Sequence, residues 1–181
     1  YQQNTMRDAM VAALSLNIFN KHTARLKMAN IAQIVNVLQA MVLTDGARMA
    51  LTPTYHVFRM YNVHQNAVSV PVDYHCGTLV SAEGRIMKNF SVSASRDAAG
   101  VLHISLANPV LDKPVTVELA LDEFKPKSVS GEILKAGQIN AYNDFGKAPE
   151  VAPAAFDGAK ISGKTVKLTL PAASVVVLEV K

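Results

Sequence analysis

The hydrophobic period of this chain changes once, near Ala67, and that change limits what it can fold into. From Asn4 to Asn66 apolar residues recur at helical spacing or run on without interruption. From Ala67 onward they alternate in short segments separated by turn residues. The two patterns bury their apolar atoms differently, one through helices and a buried strand, the other through the inner faces of antiparallel sheets. Residues 1–66 and 67–181 are therefore expected to be two architectural parts. With 181 residues, 50% of them hydrophobic, the chain can bury a core and is not a disordered segment.

In the first part, "NTMRDAMVAALSLNIFNKH" places Thr5 as an N-cap with Asp8 three residues on, which is close to a capping box. Met10, Leu14 and Ile18 recur every four residues with Val11 beside them, which predicts an apolar face. His22 sits near the C-terminal end, where a cation suits the helix dipole. "RLKMANIAQIV", Arg25–Val35, is short and uniformly apolar, as expected of a parallel strand buried on both faces. Asp45-Gly46 and Thr52-Pro53 then predict a long loop, and Thr54–Gln65 a second helix carrying Val57, Met60, Tyr61 and His64. Helix, buried strand, loop and helix form the end of an α/β unit whose strand needs parallel neighbours from elsewhere.

The second part predicts a hairpin, with Phe90, Val92 and Ala94 facing Leu102, Ile104 and Leu106 across a turn at Arg96–Gly100. "VTVELAL", "KSVSGEIL", "TVKLTL" and "SVVVLEV" follow as strands of an antiparallel β-sandwich, and "GKAPEVAPAAFDG" reads as a surface loop.

Few catalytic constellations are available. Asp8 and Asp45 are the carboxylates before Ala67, the first explained by capping and the second by its turn. The five histidines, His22, His56, His64, His75 and His103, lack metal-ligand spacing, although His56 and His64 could share one helix face. Cys76 is the single cysteine, so there is no internal disulfide, and its sequence neighbour His75 does not by itself make a dyad. A net charge of +4 without a basic run argues against nucleic acid. No apolar run reaches the roughly 18 residues of a membrane helix, so a soluble, cytoplasmic protein is expected, with a periplasmic or secreted one as the alternative.

Within "KMANIAQIVNVLQAM" the amides Asn30, Gln33, Asn36 and Gln39 interrupt the apolar run. At the C-terminal end of a barrel strand, side chains project into the ligand-binding face, and Gln33 and Asn36 lie nearest that end. Spacing leaves Gln33 open between ligand contact and structural hydrogen bonding, and favours structure for Asn30 and Gln39.

"NTMRDAMVAALSLNIFNKH", "RLKMANIAQIVNVLQAMVLTD" and "LTPTYHVFRMYNVHQNA" together resemble the C-terminal portion of the α-L-arabinofuranosidases of glycoside hydrolase family fifty-one, and "LPAASVVVLEVK" resembles the end of their C-terminal domain. The resemblance implies an α/β plus all-β chain: the last helix–strand–helix unit of a (β/α)8 TIM barrel (1–66), followed by an antiparallel jelly-roll-like β-sandwich (67–181). It implies a retaining, exo-acting enzyme that needs no metal or cofactor and removes terminal α-L-arabinofuranosyl groups from arabinan, arabinoxylan or arabino-oligosaccharides. Two glutamates, roughly 5 Å apart, would act as acid/base and nucleophile. In the family both precede the position of Tyr1, and the first glutamate here is Glu83, so no catalytic residue is expected in this chain.

The chain would then be inactive alone and would need the upstream barrel segment of the same enzyme, whether it is a recombinant piece, a proteolytic fragment or one chain of a nicked enzyme. The resemblance further implies a homo-oligomer, and assigns Gln33, in the "AQ" of the last barrel strand, to the arabinose ring. An amide suits that task because it can donate to and accept from hydroxyls without adding charge. Asn36 is a weaker candidate that orders the loop. The alternative is a non-catalytic carbohydrate-binding or structural β-sandwich, against which the absence of tryptophan counts as far as sugar platforms are concerned.

Overall fold

The computed structural model describes residues 4–31, 34–122 and 124–181. In chain order the elements are α1 (Met6–Lys21), β1 (Val42–Asp45), β2 (Arg48–Leu51) and α2 (Pro53–Tyr61), which continues into a 3-10 turn over Asn62–His64. The strands that follow are β3 (Val68–Val70), β4 (Thr78–Val80), β5 (Ile86–Lys88), β6 (Ser91–Arg96), β7 (Leu102–Asn108) and β8 (Val115–Ala120). After these come β9 (Val129–Leu134), β10 (Ala154–Ala155), β11 (Ala159–Ser162), β12 (Thr165–Leu170) and β13 (Ser174–Val180).

Six strands in the order β10-β9-β13-β7-β6-β3 form one antiparallel sheet, and β11-β12-β8 form a second. The predicted hairpin is present as β6 and β7, paired Val92 to Leu106 and Ala94 to Ile104. Its inward residues Val92, Ala94, Leu102, Ile104 and Leu106 join Val176, Leu178 and Val180 of β13 against Val166, Leu168 and Leu170 of β12. This is the core of a β-sandwich.

The other face of the six-stranded sheet is covered by the helices. Met6, Ala9, Met10 and Ala13 of α1 and Val57, Met60 and Tyr61 of α2 pack on Ala107, Leu134, Val175 and Val177. The central strands β7 and β13 are consequently buried on both faces, with only Glu179 of the two strands half-exposed. Burying each Val or Leu of this kind contributes roughly 1.5–3 kcal/mol.

Four expectations are corrected. The first is the buried strand over Arg25–Val35: among its described residues none is in a strand, Met28 is 73% exposed and Ile34 57%. Val35 makes a lone parallel bridge to Val42. A strand buried on both faces is held by neighbours along both edges, and among the described residues this segment has no strand neighbour beyond that one bridge to the start of β1. Second, the long loop before α2 is a hairpin: β1 and β2 pair Val42 to Leu51 through Asp45 to Arg48, with Gly46 at φ 58° in the turn, the left-handed backbone a tight hairpin favours.

Third, the face of α1 is rotated from the one expected. Met6, Ala9, Met10, Ala13 and Asn17 are buried, whereas Val11 and Ile18 are 58% and 54% exposed. The alanines let α1 approach the sheet and α2 closely, which the bulkier stripe would prevent. Finally, the loop over 146–158 is not wholly at the surface, because Val151 and Phe156 are buried and Ala154–Ala155 pair with β9.

Candidate functional site

The starts of the two helices fix the region around Asn36. Thr5 donates from its amide (2.8 Å) and its hydroxyl (2.9 Å) to the Asp8 carboxylate, so Asp8 is the capping residue the sequence implied. Thr52 caps α2 ahead of Pro53, accepting from the Tyr55 amide and donating to the Ala40 carbonyl at 2.9 Å. The Asn4 amide donates to the same carbonyl at 3.0 Å. These bonds tie the segment entering β1 to both helices.

Ala32 and Gln33 lie outside the described residues, so the expected sugar-contacting position carries no geometry here. Asn36 follows directly. It adopts φ 54°, a left-handed conformation that Asn tolerates better than most residues, and its side chain clasps Thr44. Its Nδ2 donates to the Thr44 carbonyl (3.1 Å) and hydroxyl (2.9 Å), while its Oδ1 accepts from the Thr44 amide at 2.8 Å. Asn36 therefore orders the loop. Asn30 and Gln39 are exposed, and Gln39 holds a positive φ of 60°.

The loop so ordered walls a cavity of about 610 Å³, closed on its other side by Asp144 and Phe145 of the sandwich. Val37, Leu38 and Leu43 supply apolar surface, and Thr44, Asp45 and Asp144 supply polar atoms. Phe145 packs against the small Ala40–Leu43–Ala50 cluster. The Arg48 guanidinium lies 5.3 Å from the Phe145 ring centre and forms an ion pair with Asp45. Asn143 pins the far wall, donating to the carbonyls of Leu51 and Val151 at 2.8 Å each and accepting from the Val151 amide. The Phe145 amide, then Lys147 and Arg48, hold the Asp144 carboxyl below its ordinary range, so it is an ionised acceptor at neutral pH.

The remaining candidates take structural positions. His56 and His64 do not share a helix face, because α2 ends at Tyr61 and His64 lies on the 3-10 turn. His64 sits between two sheet hydroxyls, Nδ1 2.7 Å from Ser95 Oγ and Nε2 2.6 Å from Ser105 Oγ. Burial, and then the charge of nearby His103, push it down to about 4. His75 is exposed while Cys76 turns inward against the sandwich core, as neighbours on extended chain must, so they do not converge. Among the described residues no group of three His, Cys, Asp or Glu side chains is placed to hold a metal. Sequence reasoning missed Asp144 and Phe145. "YNDFG" signals a turn, but nothing in it says which loop it meets.

Residues 1–174 match the family model described as the α-L-arabinofuranosidase C-terminal domain. The chain belongs to that family. A curated intracellular exo-α-L-arabinofuranosidase of Bacteroides ovatus is 50% identical over 181 residues, which is 100% of this chain and 35% of that protein. The crystal structure of the GH51 arabinofuranosidase from Xanthomonas axonopodis pv. citri is 42% identical, superimposes with a TM-score of 0.95, and is matched over 99% of this chain and 36% of that one. An α-L-arabinofuranosidase of Thermotoga maritima, solved with arabinose, shares the fold at 20% identity, with a TM-score of 0.82 over 98% of this chain and 39% of that one. This member of the family thus spans about a third of the length of these relatives. No described helix is long and apolar enough to cross a membrane.

Proposed function

We propose that the chain is the C-terminal part of a retaining, exo-acting α-L-arabinofuranosidase, in which residues 1–66 complete a (β/α)8 barrel and 67–181 form the appended sandwich. The observation that carries this is an apolar segment left without cover. Met28, Ile34, Val35 and Leu38 are between 47% and 73% exposed, and Val11, Ile18 and Phe19 on the outer side of α1 are between 39% and 58% exposed. Parallel neighbour strands beside Arg25–Val35, and barrel helices against α1, would bury these side chains. The family membership and the Xanthomonas fold match support the same reading.

In this reading the acid/base and nucleophilic glutamates come from the upstream barrel, and Gln33 hydrogen-bonds the arabinose hydroxyls. Such bonds assist catalysis when they strengthen as the ring flattens toward the oxocarbenium-like state. The substrates are terminal α-L-arabinofuranosyl groups of arabinan, arabinoxylan or arabino-oligosaccharides, the location is intracellular as for the Bacteroides relative, and the complete enzyme assembles as a homo-oligomer. The chain alone is expected to release no arabinose from an aryl arabinofuranoside. In the complete enzyme, Gln33→Ala is expected to lower kcat/KM about a hundredfold, on the order of two lost hydrogen bonds; an unchanged kcat/KM would remove Gln33 from the site.

A further inference from the structure

We propose that the sandwich segment over residues 139–145 is a clamp that positions two consecutive loops on the catalytic face of the barrel, with Asn143 as its central positioning residue. It rests on the reading above that residues 1–66 close a (β/α)8 barrel.

In such a barrel each helix is entered from the loop that leaves the preceding strand, so helix N-termini mark the face where catalysis takes place. Segment 139–145 meets both helix N-termini of this chain. At α1 the carbonyls of Ile139 and Ala141 accept from the amides of Arg7 and Met6 at 2.8 and 2.9 Å, and Tyr142 makes an antiparallel bridge to Thr5. First-turn amides have no partner within their own helix, and here the sandwich supplies one. At α2, Asn143 Nδ2 donates at 2.8 Å to the carbonyl of Leu51, the last residue of β2 and the neighbour of the cap Thr52. Phe145 then packs on Ala40, Leu43 and Ala50, of which the last two belong to the β1–β2 hairpin.

Asn143 is 4% exposed, and its amide is spent wholly on backbone. Besides Leu51, it donates to the Val151 carbonyl at 2.8 Å and accepts from the Val151 amide at 2.9 Å. Bonds of this kind fix the path of the chain rather than the packing of one side chain. Among the described residues no other hydrogen bond joins β1 or β2 to the sandwich. The position of the hairpin therefore depends on this amide, and the Asn36–Thr44 clasp passes that position on to the loop before β1. Catalysis is sensitive to such placement, since a shift of about 1 Å in the groups around a reacting bond can cost about a hundredfold in rate.

The test uses the complete enzyme, with kinetics on an aryl α-L-arabinofuranoside and hydrogen exchange of backbone amides read by mass spectrometry. Asn143→Ala is expected to lower kcat about tenfold with KM within about twofold, and to speed exchange over residues 42–52 about tenfold. Asn17→Ala removes another buried amide, from the seam between α1 and the sheet, and controls for lost stability; its kcat is expected to stay within about twofold. Phe145→Leu, which keeps apolar bulk, is expected to lower kcat about threefold with the same split, and it decides alone if Asn143→Ala does not fold. Unchanged kcat in both clamp variants, or an equal loss in Asn17→Ala, would overturn the clamp. A fall in kcat without faster exchange over residues 42–52 would overturn it too. A parent enzyme that releases no arabinose is the separate outcome that removes the reading beneath the clamp, and the clamp's part in the reaction with it.

Discussion

A single side chain can be made to serve structure or ligand by what it is given to bond with, and two residues here illustrate the first case. Asn36 spends its amide in both directions on Thr44, which leaves it poorly placed to serve a sugar and well placed to hold the loop. His64 is held between Ser95 and Ser105 with Tyr61 edge-on at 5.7 Å, while His103, paired with Asp97 at 3.0 Å, faces it from the sheet. Because burial lowers the folded pKa of His64 from 6.5 to about 4, the unfolded chain takes up a proton that the folded one refuses. Its contribution is complete above about pH 6.5 and declines as the pH falls toward 4, by at most roughly 3 kcal/mol. Asp97 and Asp144 are also lowered, by hydrogen bonds to their carboxylates, so their contributions are likewise lost as the pH falls, but only from about the ordinary carboxylate value of 3.8 downward. Urea titrations at pH 7 and 4.5 are expected to show His64→Gln narrowing the stability difference between those two values. A difference as large as in the parent would remove His64 as its source.

At the scale of elements, α1 and the sheet are joined by a polar seam as well as by an apolar one. Asn17 is fully buried on α1; it accepts from Ser93 Oγ at 2.8 Å and from the Tyr61 hydroxyl at 3.1 Å, and donates to Ser91 Oγ at 3.3 Å. Asn17→Ala leaves the buried Ser93 hydroxyl without its acceptor and the Tyr61 hydroxyl with only the Ala13 carbonyl at 3.4 Å, and chemical denaturation is expected to show a loss of about 2 kcal/mol; a change below about 0.5 kcal/mol would mean that water replaces the amide. The seam explains what the sequence concealed. Strands β8 and β12 were legible because their alternation, such as Val166, Leu168 and Leu170, is set by one buried face, and β6, β7, β9 and β13 because short β-rich segments stand between turn residues. The true face of α1 was not, because Ala9, Ala13 and Asn17 carry little hydrophobic signal and are chosen for fit against a sheet the sequence does not display. For the same reason Asn36 was readable as a loop residue from its own neighbourhood, while the wall opposite it, Asp144 and Phe145, depends on a contact about a hundred residues away that no local pattern encodes.

At the scale of the whole molecule, the described residues form two large cores and leave several bulky apolar side chains that neither core uses. The sandwich core and the helix–sheet core are filled from within the chain, whereas Met28 and Leu38 are 73% and 71% exposed and Ile18 on α1 is 54% exposed. A surface of this kind marks an interaction face, and the proposed function makes it the face of the chain against the rest of the barrel. The consequence separates that role from ordinary folding. Replacing Ile18, Met28 and Leu38 together by Ser should leave the unfolding midpoint of this chain nearly unchanged, within about 0.5 kcal/mol, because exposed side chains of this kind add little to it. The same chain should bind less of a hydrophobic dye such as anilinonaphthalene sulfonate. In the complete enzyme the outcome should reverse. Burying each such side chain there is worth roughly 1.5–3 kcal/mol, so the triple variant should unfold at markedly lower denaturant concentration and lose activity through misplacement of Gln33. Equal midpoints for the complete enzyme and its triple variant would show that these side chains face solvent in the assembled molecule, and the barrel reading of residues 1–66 would fall.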